Sequence, residues 1–199
     1  LTPPHDITGR KITQYIPNGP YVSELYKLMV QSYNLLKSHP VNLDRIKRGK
    51  RPANSIWLWG EGQRPRLDSF ESKFHKKGSV VSSVDVDGAT GYIDTNFTGK
   101  MEAALQEFRK GQDFVYIHVE APDECGHRGE MENKIKAIEL IDEKILTPLT
   151  AALREAGPFR IMVLPDHPTP LSTKTHASDP VPYLIYDSAR EQCSGVSCF

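Results

Sequence analysis

Two loops in the C-terminal half carry adjacent or closely spaced carboxylates and imidazoles, and a third carries a histidine and an aspartate. One reads Glu120-Ala121-Pro122-Asp123-Glu124-Cys125-Gly126-His127, another Pro165-Asp166-His167-Pro168-Thr169-Pro170, and the third Thr173-Lys174-Thr175-His176-Ala177-Ser178-Asp179-Pro180. Three of the seven histidines therefore stand in these loops, each with a carboxylate close by. Carboxylate oxygen with neutral imidazole is the ligand set for manganese or zinc, and with fewer imidazoles for magnesium. Asp123 and His127, four apart across a glycine, can close on a single ion. Asp166 and His167 are neighbours, and neighbouring side chains on an extended segment point to opposite sides. That pair therefore suits two different ions better than one. Two ions ~3.5–4 Å apart clamp the attacking and leaving oxygens of a phosphoryl transfer.

The elements that position these loops follow from apolar patterning. SVVSSV at 79–84, Phe114 to Val119, RIMVL at 160–164 and VPYLIY at 181–186 read as strands, and SIWLW at 55–59 as a buried strand before Gly60. Helical spacing runs from Tyr21 to Ser38, through Leu25, Leu28, Met29, Leu35 and Leu36, with Ser32 in place of one apolar residue, and His39-Pro40 stops it. Met101, Ala104, Leu105 and Phe108 predict a short helix closed by Gly111. Ile135, Ile138, Ile141, Ile145, Leu149 and Leu153 line one face of a long helix that Pro148 kinks. Strands that read as apolar runs and alternate with helices predict an α/β fold, with a parallel sheet covered on both faces. Ligands in such sheets sit beyond the carboxyl ends of the strands, and the Asp123 and Asp166-His167 loops leave strands there. The basic stretch Arg45 to Arg51 reads as a solvated face or as a site for a small anion.

Composition narrows the function classes. The 199 residues hold 25 basic and 25 acidic side chains, so bulk basicity offers no case for a nucleic-acid partner. Apolar runs such as IMVL at 161–164 are far short of the ~20 residues of a membrane span. Aromatic and branched aliphatic residues along the whole chain exclude disorder. Three cysteines, Cys125, Cys193 and Cys198, make no disulfide framework or zinc-finger spacing. They read as reduced thiols of a cytoplasmic protein, with a Cys193–Cys198 bridge the alternative. The opening residues do not read as a signal peptide. The chain opens Leu1-Thr2-Pro3-Pro4 and reads as beginning inside a longer protein. The sequence is silent on oligomeric state.

VEAPDECGH, LPDHPTP and THASDPVPYLIYDS resemble the metal-binding motifs of cofactor-independent phosphoglycerate mutases, in their archaeal-type branch within the alkaline phosphatase superfamily. HDITGR at 5–10, HPVN at 39–42, ANSIWLWGEG at 53–62 and DGATGYIDTNFTGK at 87–100 resemble the same branch. The resemblance implies an α/β/α sandwich with a mostly parallel sheet. Residues 66–199 would be the C-terminal part of the metal-binding phosphatase-like domain, and residues 1–65 part of an inserted α/β domain that closes over the substrate. It implies interconversion of 3-phosphoglycerate and 2-phosphoglycerate through a phosphoserine, with two divalent metal ions, manganese before zinc or magnesium, and no bisphosphoglycerate. Asp123, His127 and His176 would hold one ion, Asp166 and His167 the other. His5, Asp6 and Arg10 would grip the glycerate, Arg10 with the fork geometry a carboxylate or phosphate wants. The implied partner is a small phosphorylated molecule.

The chain departs from the family in two ways. The segment carrying the family's nucleophilic serine and one further metal-binding aspartate is not among these residues. The stretch between SVVSSV and GATG is shortened to Asp85-Val86-Asp87, which reads as skipped residues or as a deletion. Two other functions stay open: a superfamily phosphatase or phosphotransferase acting on another small alcohol such as homoserine, and a non-catalytic binding relative.

Overall fold

Prolines, glycines and small polar side chains set the element boundaries in a computed structural model that describes residues 1–7, 9–83, 86–192 and 195, with the backbone alone of His5. Two compact units result, Leu1–Arg66 and Leu67–Phe199.

In the first unit, α1 spans Val22–Leu36 and α2 spans Pro40–Lys47. Pro40 does not merely stop a helix. It occupies the first turn of α2, where a missing N–H costs nothing, and His39 caps that helix by accepting the Val41 N–H. Arg48 pairs with Asp44 at 2.7 Å and Arg45 donates to the Arg51 carbonyl, so these two arginines of the basic stretch serve local structure. The strand expected at 55–59 does not form: residues 51–69 carry no regular secondary structure. Side chains of the two helices satisfy that backbone instead. The Ile56 N–H donates to Ser32 Oγ at 3.0 Å. Buried Asn42 exchanges two bonds with Ala53, and donates to the Leu36 carbonyl as well. Ser32, which interrupts the apolar face of α1, is thus a docking point.

The second unit contains α3 (Phe70–Phe74), β1 (Gly78–Val81), α4 (Phe97–Arg109), β2 (Phe114–Ile117), α5 (Ala121–Arg128), α6 (Met131–Ile141), α7 (Thr147–Ala156), β3 (Arg160–Val163) and β4 (Leu184–Asp187). β1 and β2 pair in parallel, Gly78 opposite Phe114 and Val81 opposite Ile117, with α4 as the crossover helix. β3 and β4 pair antiparallel, Arg160 opposite Asp187. The chain returns through residues 164–183 without a crossover helix, so the second pair departs from the parallel order. Burial alternates along β2, and Val80, Phe114, Tyr116, Met162 and Ile185 are exposed. β1, β2 and β3 are covered on one face, not both.

The core forms around Phe97, Ala121, Ala137, Ile145 and Leu149, with Ile117, Val119, Ile141 and Leu153 packed against it. The long helix expected across 135–153 is continuous but not uniform. A π-helical turn at Asp142–Leu146 separates α6 from α7, and the Thr147 N–H reaches back to the Asp142 carbonyl. This wider turn accommodates Pro148, which has no N–H to give. It also resets the buried face. Ile145 and Leu149 enter the core, whereas Ile135 and Ile138 stay exposed and Ala137 takes the buried position on α6. Among the described residues no helix is long and apolar enough to cross a membrane.

Candidate metal centre

Asp123 and His127 lie on α5, not in a loop. Pro122 in its first turn, Asp123 and Glu124 at its N-terminal end, Arg128 in its last turn and Gly129 at φ 72° beyond it define this helix. The i,i+4 spacing puts both side chains on one face. Asp123 Oδ2 stands 3.3 Å from His127 Nε2.

The segment after β3 folds back onto that face. His176 Nε2 lies 3.1 Å from His127 Nε2 and 3.6 Å from Asp123 Oδ1. Ligand atoms of Asp123, His127 and His176 fall within 4.8 Å of one another. Two ligands bound to one ion at ~2.0–2.2 Å are themselves ~3–3.5 Å apart, which is close to these separations. His167 packs against His176, ring centroids 3.8 Å apart and planes tilted by 37°, and its Nδ1 is 4.0 Å from Asp123 Oδ1. Asp166 Oδ2 reaches His167 Nε2 at 3.2 Å. The chain bends here, and Asp166 Oδ1 accepts the His167 N–H at 3.0 Å. The two side chains therefore meet, where an extended segment would have sent them to opposite sides.

The tautomer of His127 follows from its neighbour. Its Nδ1 lies 2.9 Å from the Lys174 carbonyl, which can only accept, so Nδ1 carries the proton. A neutral ring with that tautomer turns the Nε2 lone pair to the cluster, as in metal-binding histidines whose other nitrogen is held by a carbonyl. Lys174 presents that carbonyl from the left-handed region, φ 55°, uncommon for a residue with a side chain.

Residues absent from the sequence-based set complete the cluster. Thr169, 4% exposed, donates its hydroxyl to Asp123 Oδ1 and stands 3.5 Å from His167 Nδ1. Lys134 donates to the Thr169 carbonyl at 2.9 Å. Gly126 lets the segment approach: a Cβ there would stand 2.6 Å from the Thr169 carbonyl oxygen. The Pro-Thr-Pro run was the one signal for Thr169, because two prolines restrict the backbone around it. Cys125 is buried and free, and burial raises its thiol pKa, so it behaves as a packed side chain. Cys193 and Cys198 lie outside the described residues, as does Asp85 at the shortened stretch.

His5, Asp6 and Arg10 belong to the first unit. His5 and Asp6 fall in a short 3-10 turn at Pro4–Ile7, and the exposed Arg10 donates to the Tyr15 hydroxyl at 3.2 Å.

The fold and the Asp/His cluster agree with the family comparison: the profile of the Metalloenzyme superfamily matches residues 68–197, and the chain belongs to that superfamily. Residues 1–42 match the profile of 2,3-bisphosphoglycerate-independent phosphoglycerate mutase. The chain is 47% identical over 214 aligned positions to the enzyme of that name from Methanosarcina mazei, covering all of this chain and 54% of that protein. It is 45% identical to a probable enzyme of the same name from Geobacter sulfurreducens, covering 99% of this chain and 53% of that one. The resemblance read from the motifs thus extends along the whole chain. The solved structure of the PH0037 protein from Pyrococcus horikoshii superposes with a TM-score of 0.64 at 28% identity, over 87% of this chain and 49% of that chain. The chain spans about half the length of the curated relatives it matches.

Proposed function

We propose that the second unit carries a divalent-metal centre and that the intact protein interconverts 3-phosphoglycerate and 2-phosphoglycerate without bisphosphoglycerate. Asp123, His127 and His176 hold one ion, and Asp166 with His167 holds a second. The observation that carries the reading is the convergence of one carboxylate and two imidazoles at ligand-to-ligand spacing, in a chain similar throughout to proteins named as such mutases. Manganese, zinc and, less well, magnesium fit this mixed oxygen and nitrogen set, and manganese is the ion that the family resemblance implies.

Bound divalent ions supply Lewis-acid stabilisation of phosphoryl charge and lower the pKa of a bound hydroxyl. The chain's own residues prepare the site. The Lys174 carbonyl fixes His127 as the tautomer that turns Nε2 to the cluster. Asp123 and Asp166 place negative charge beside the imidazoles, where it offsets bound cations. The phosphoryl group is accepted by a serine supplied outside these 199 residues, forming a phosphoserine, and is returned to the other hydroxyl of the glycerate. Residues 1–65 serve as part of a substrate-capping domain, in which His5, Asp6 and Arg10 bind the carboxylate or phosphate. The protein acts in the cytoplasm on this small molecule.

The test is a coupled assay of 2-phosphoglycerate formation with the full-length protein. Activity without added bisphosphoglycerate, abolished by EDTA and restored by Mn(II), is expected. Undiminished turnover after thorough chelation, or no turnover with any divalent ion, refutes the proposal.

A further inference from the structure

Thr169 is a buried hydroxyl wedged between the two groups of candidate ligands. On one side it donates to Asp123 Oδ1, on the face of α5. On the other, its oxygen stands 3.5 Å from His167 Nδ1, in the segment that follows β3. A threonine hydroxyl has one proton, and that proton is committed to the carboxylate, so its oxygen remains an acceptor toward the His167 ring. The residue is held from behind. Its carbonyl accepts from Lys134 on α6, and the surface of α5 at Gly126 lies against it.

We propose that Thr169 is a positioning residue for the metal centre. Its hydroxyl occupies one lone pair of Asp123 Oδ1 and so fixes the carboxylate rotation that turns Oδ2 to His127, 3.3 Å away. It also ties the α5 ligands to the His167–His176 segment, so the two groups arrive at a fixed separation before any ion binds. The inference rests on the metal-centre reading above and adds to it a residue that acts through Asp123.

The test measures Mn(II) affinity and stoichiometry in the metal-stripped full-length protein without substrate, by electron paramagnetic resonance of the free ion. Thr169→Val keeps the shape and removes the donor. It should weaken binding about 10–100-fold, the usual effect of losing a hydrogen-bond partner behind a ligand. Thr169→Ser, which keeps the hydroxyl, should stay within about threefold of the wild type. Should the valine variant fail to fold, Thr169→Ala against Thr169→Ser makes the same comparison at nearly equal volume. A folded valine or alanine variant with wild-type affinity overturns the role of Thr169. So does a serine variant as weak as alanine, because packing and not the hydroxyl would then be at work. Asp123→Ala separates the two levels. If it binds Mn(II) as tightly as the wild type, the metal-centre reading itself falls, and the role of Thr169 with it.

Discussion

Replacing Gly126 by alanine tests whether the close approach of α5 to the Pro168–Pro170 segment holds the Asp/His cluster together. The new Cβ would stand 2.6 Å from the Thr169 carbonyl oxygen, 2.9 Å from Thr169 Cγ2 and 2.9 Å from Lys134 Nζ, where ordinary contact begins at 3.4 Å. The lysine amine can swing aside, but the carbonyl belongs to a backbone stiffened by two prolines. The segment must therefore retreat by about 0.8 Å, since neither partner is compressible. His127 moves with the helix and His176 with the segment, whereas metal–ligand distances tolerate only about 0.2 Å. Alanine improves helix propensity by up to ~1 kcal/mol over glycine. Overpacking costs typically ~1–3 kcal/mol. The net is a loss of up to about 2 kcal/mol, at about 2–4 °C of Tm for each kcal/mol in a chain this long. The expected result is a small fall in Tm with at least a tenfold loss of Mn(II) affinity, of the order that follows from disturbing the support of a ligand. Gly62→Ala is the control, since its Cβ meets nothing within 4 Å, and it should change neither quantity. A Gly126→Ala protein with unchanged Mn(II) affinity would refute the claim that this contact sets the separation of the ligands.

Two further outcomes are expected. Ile145→Ala removes a side chain 2% exposed at the π turn and should destabilise the fold by about 2–5 kcal/mol, read by denaturant titration, with metal affinity affected only through folding. The pH dependence of thermal stability should show an acid and an alkaline limb. Hydrogen bonds from Tyr92 and then Asn133 hold Glu130 below the usual carboxylate range, those from Lys110 and then Ser79 do the same for Glu107, and those from Arg160 and then the Ala189 N–H for Asp187. The stabilisation from these three is complete above about pH 4.5 and is lost as pH falls through their lowered values. Tyr92 is raised by its bond to Glu130 and Tyr186 by its bond to Glu191, so their contribution is complete below about pH 10 and disappears as pH rises through the raised values. Tyr92→Phe should make both limbs shallower, and melts of this variant that match the wild type at every pH would refute the assignment.

Residue types and local pattern were enough to single out the candidate ligands that the structure brings together. Asp123, His127, Asp166, His167 and His176 could be picked out because three clusters of carboxylate and imidazole stand beside apolar runs, although any one such residue is most often a turn or cap residue. The strands at 78–81, 114–117, 160–163 and 184–187, and the helices through 22–36 and 97–109, were legible because each contains its own apolar spacing. Helix α5 stands where a loop is expected at 120–127, although Pro122, its first-turn acids and Gly129 are helix signals. Other features had no local signature. An apolar run such as 55–59 becomes a strand only if another strand pairs with it, and here Ser32 and Asn42 bond that part of the chain instead. The direction of β4 depended on how residues 164–183 return, which periodicity does not encode. The buried face of α6 and α7 shifted with a π turn that Pro148 favours but whose position packing selects. The support of the cluster by Thr169, Lys134, Gly126 and the Lys174 carbonyl joins residues some 35 to 50 positions apart in sequence. Such contacts come from the packing of α5 and α6 against the segment after β3, so only the tertiary structure could decide them.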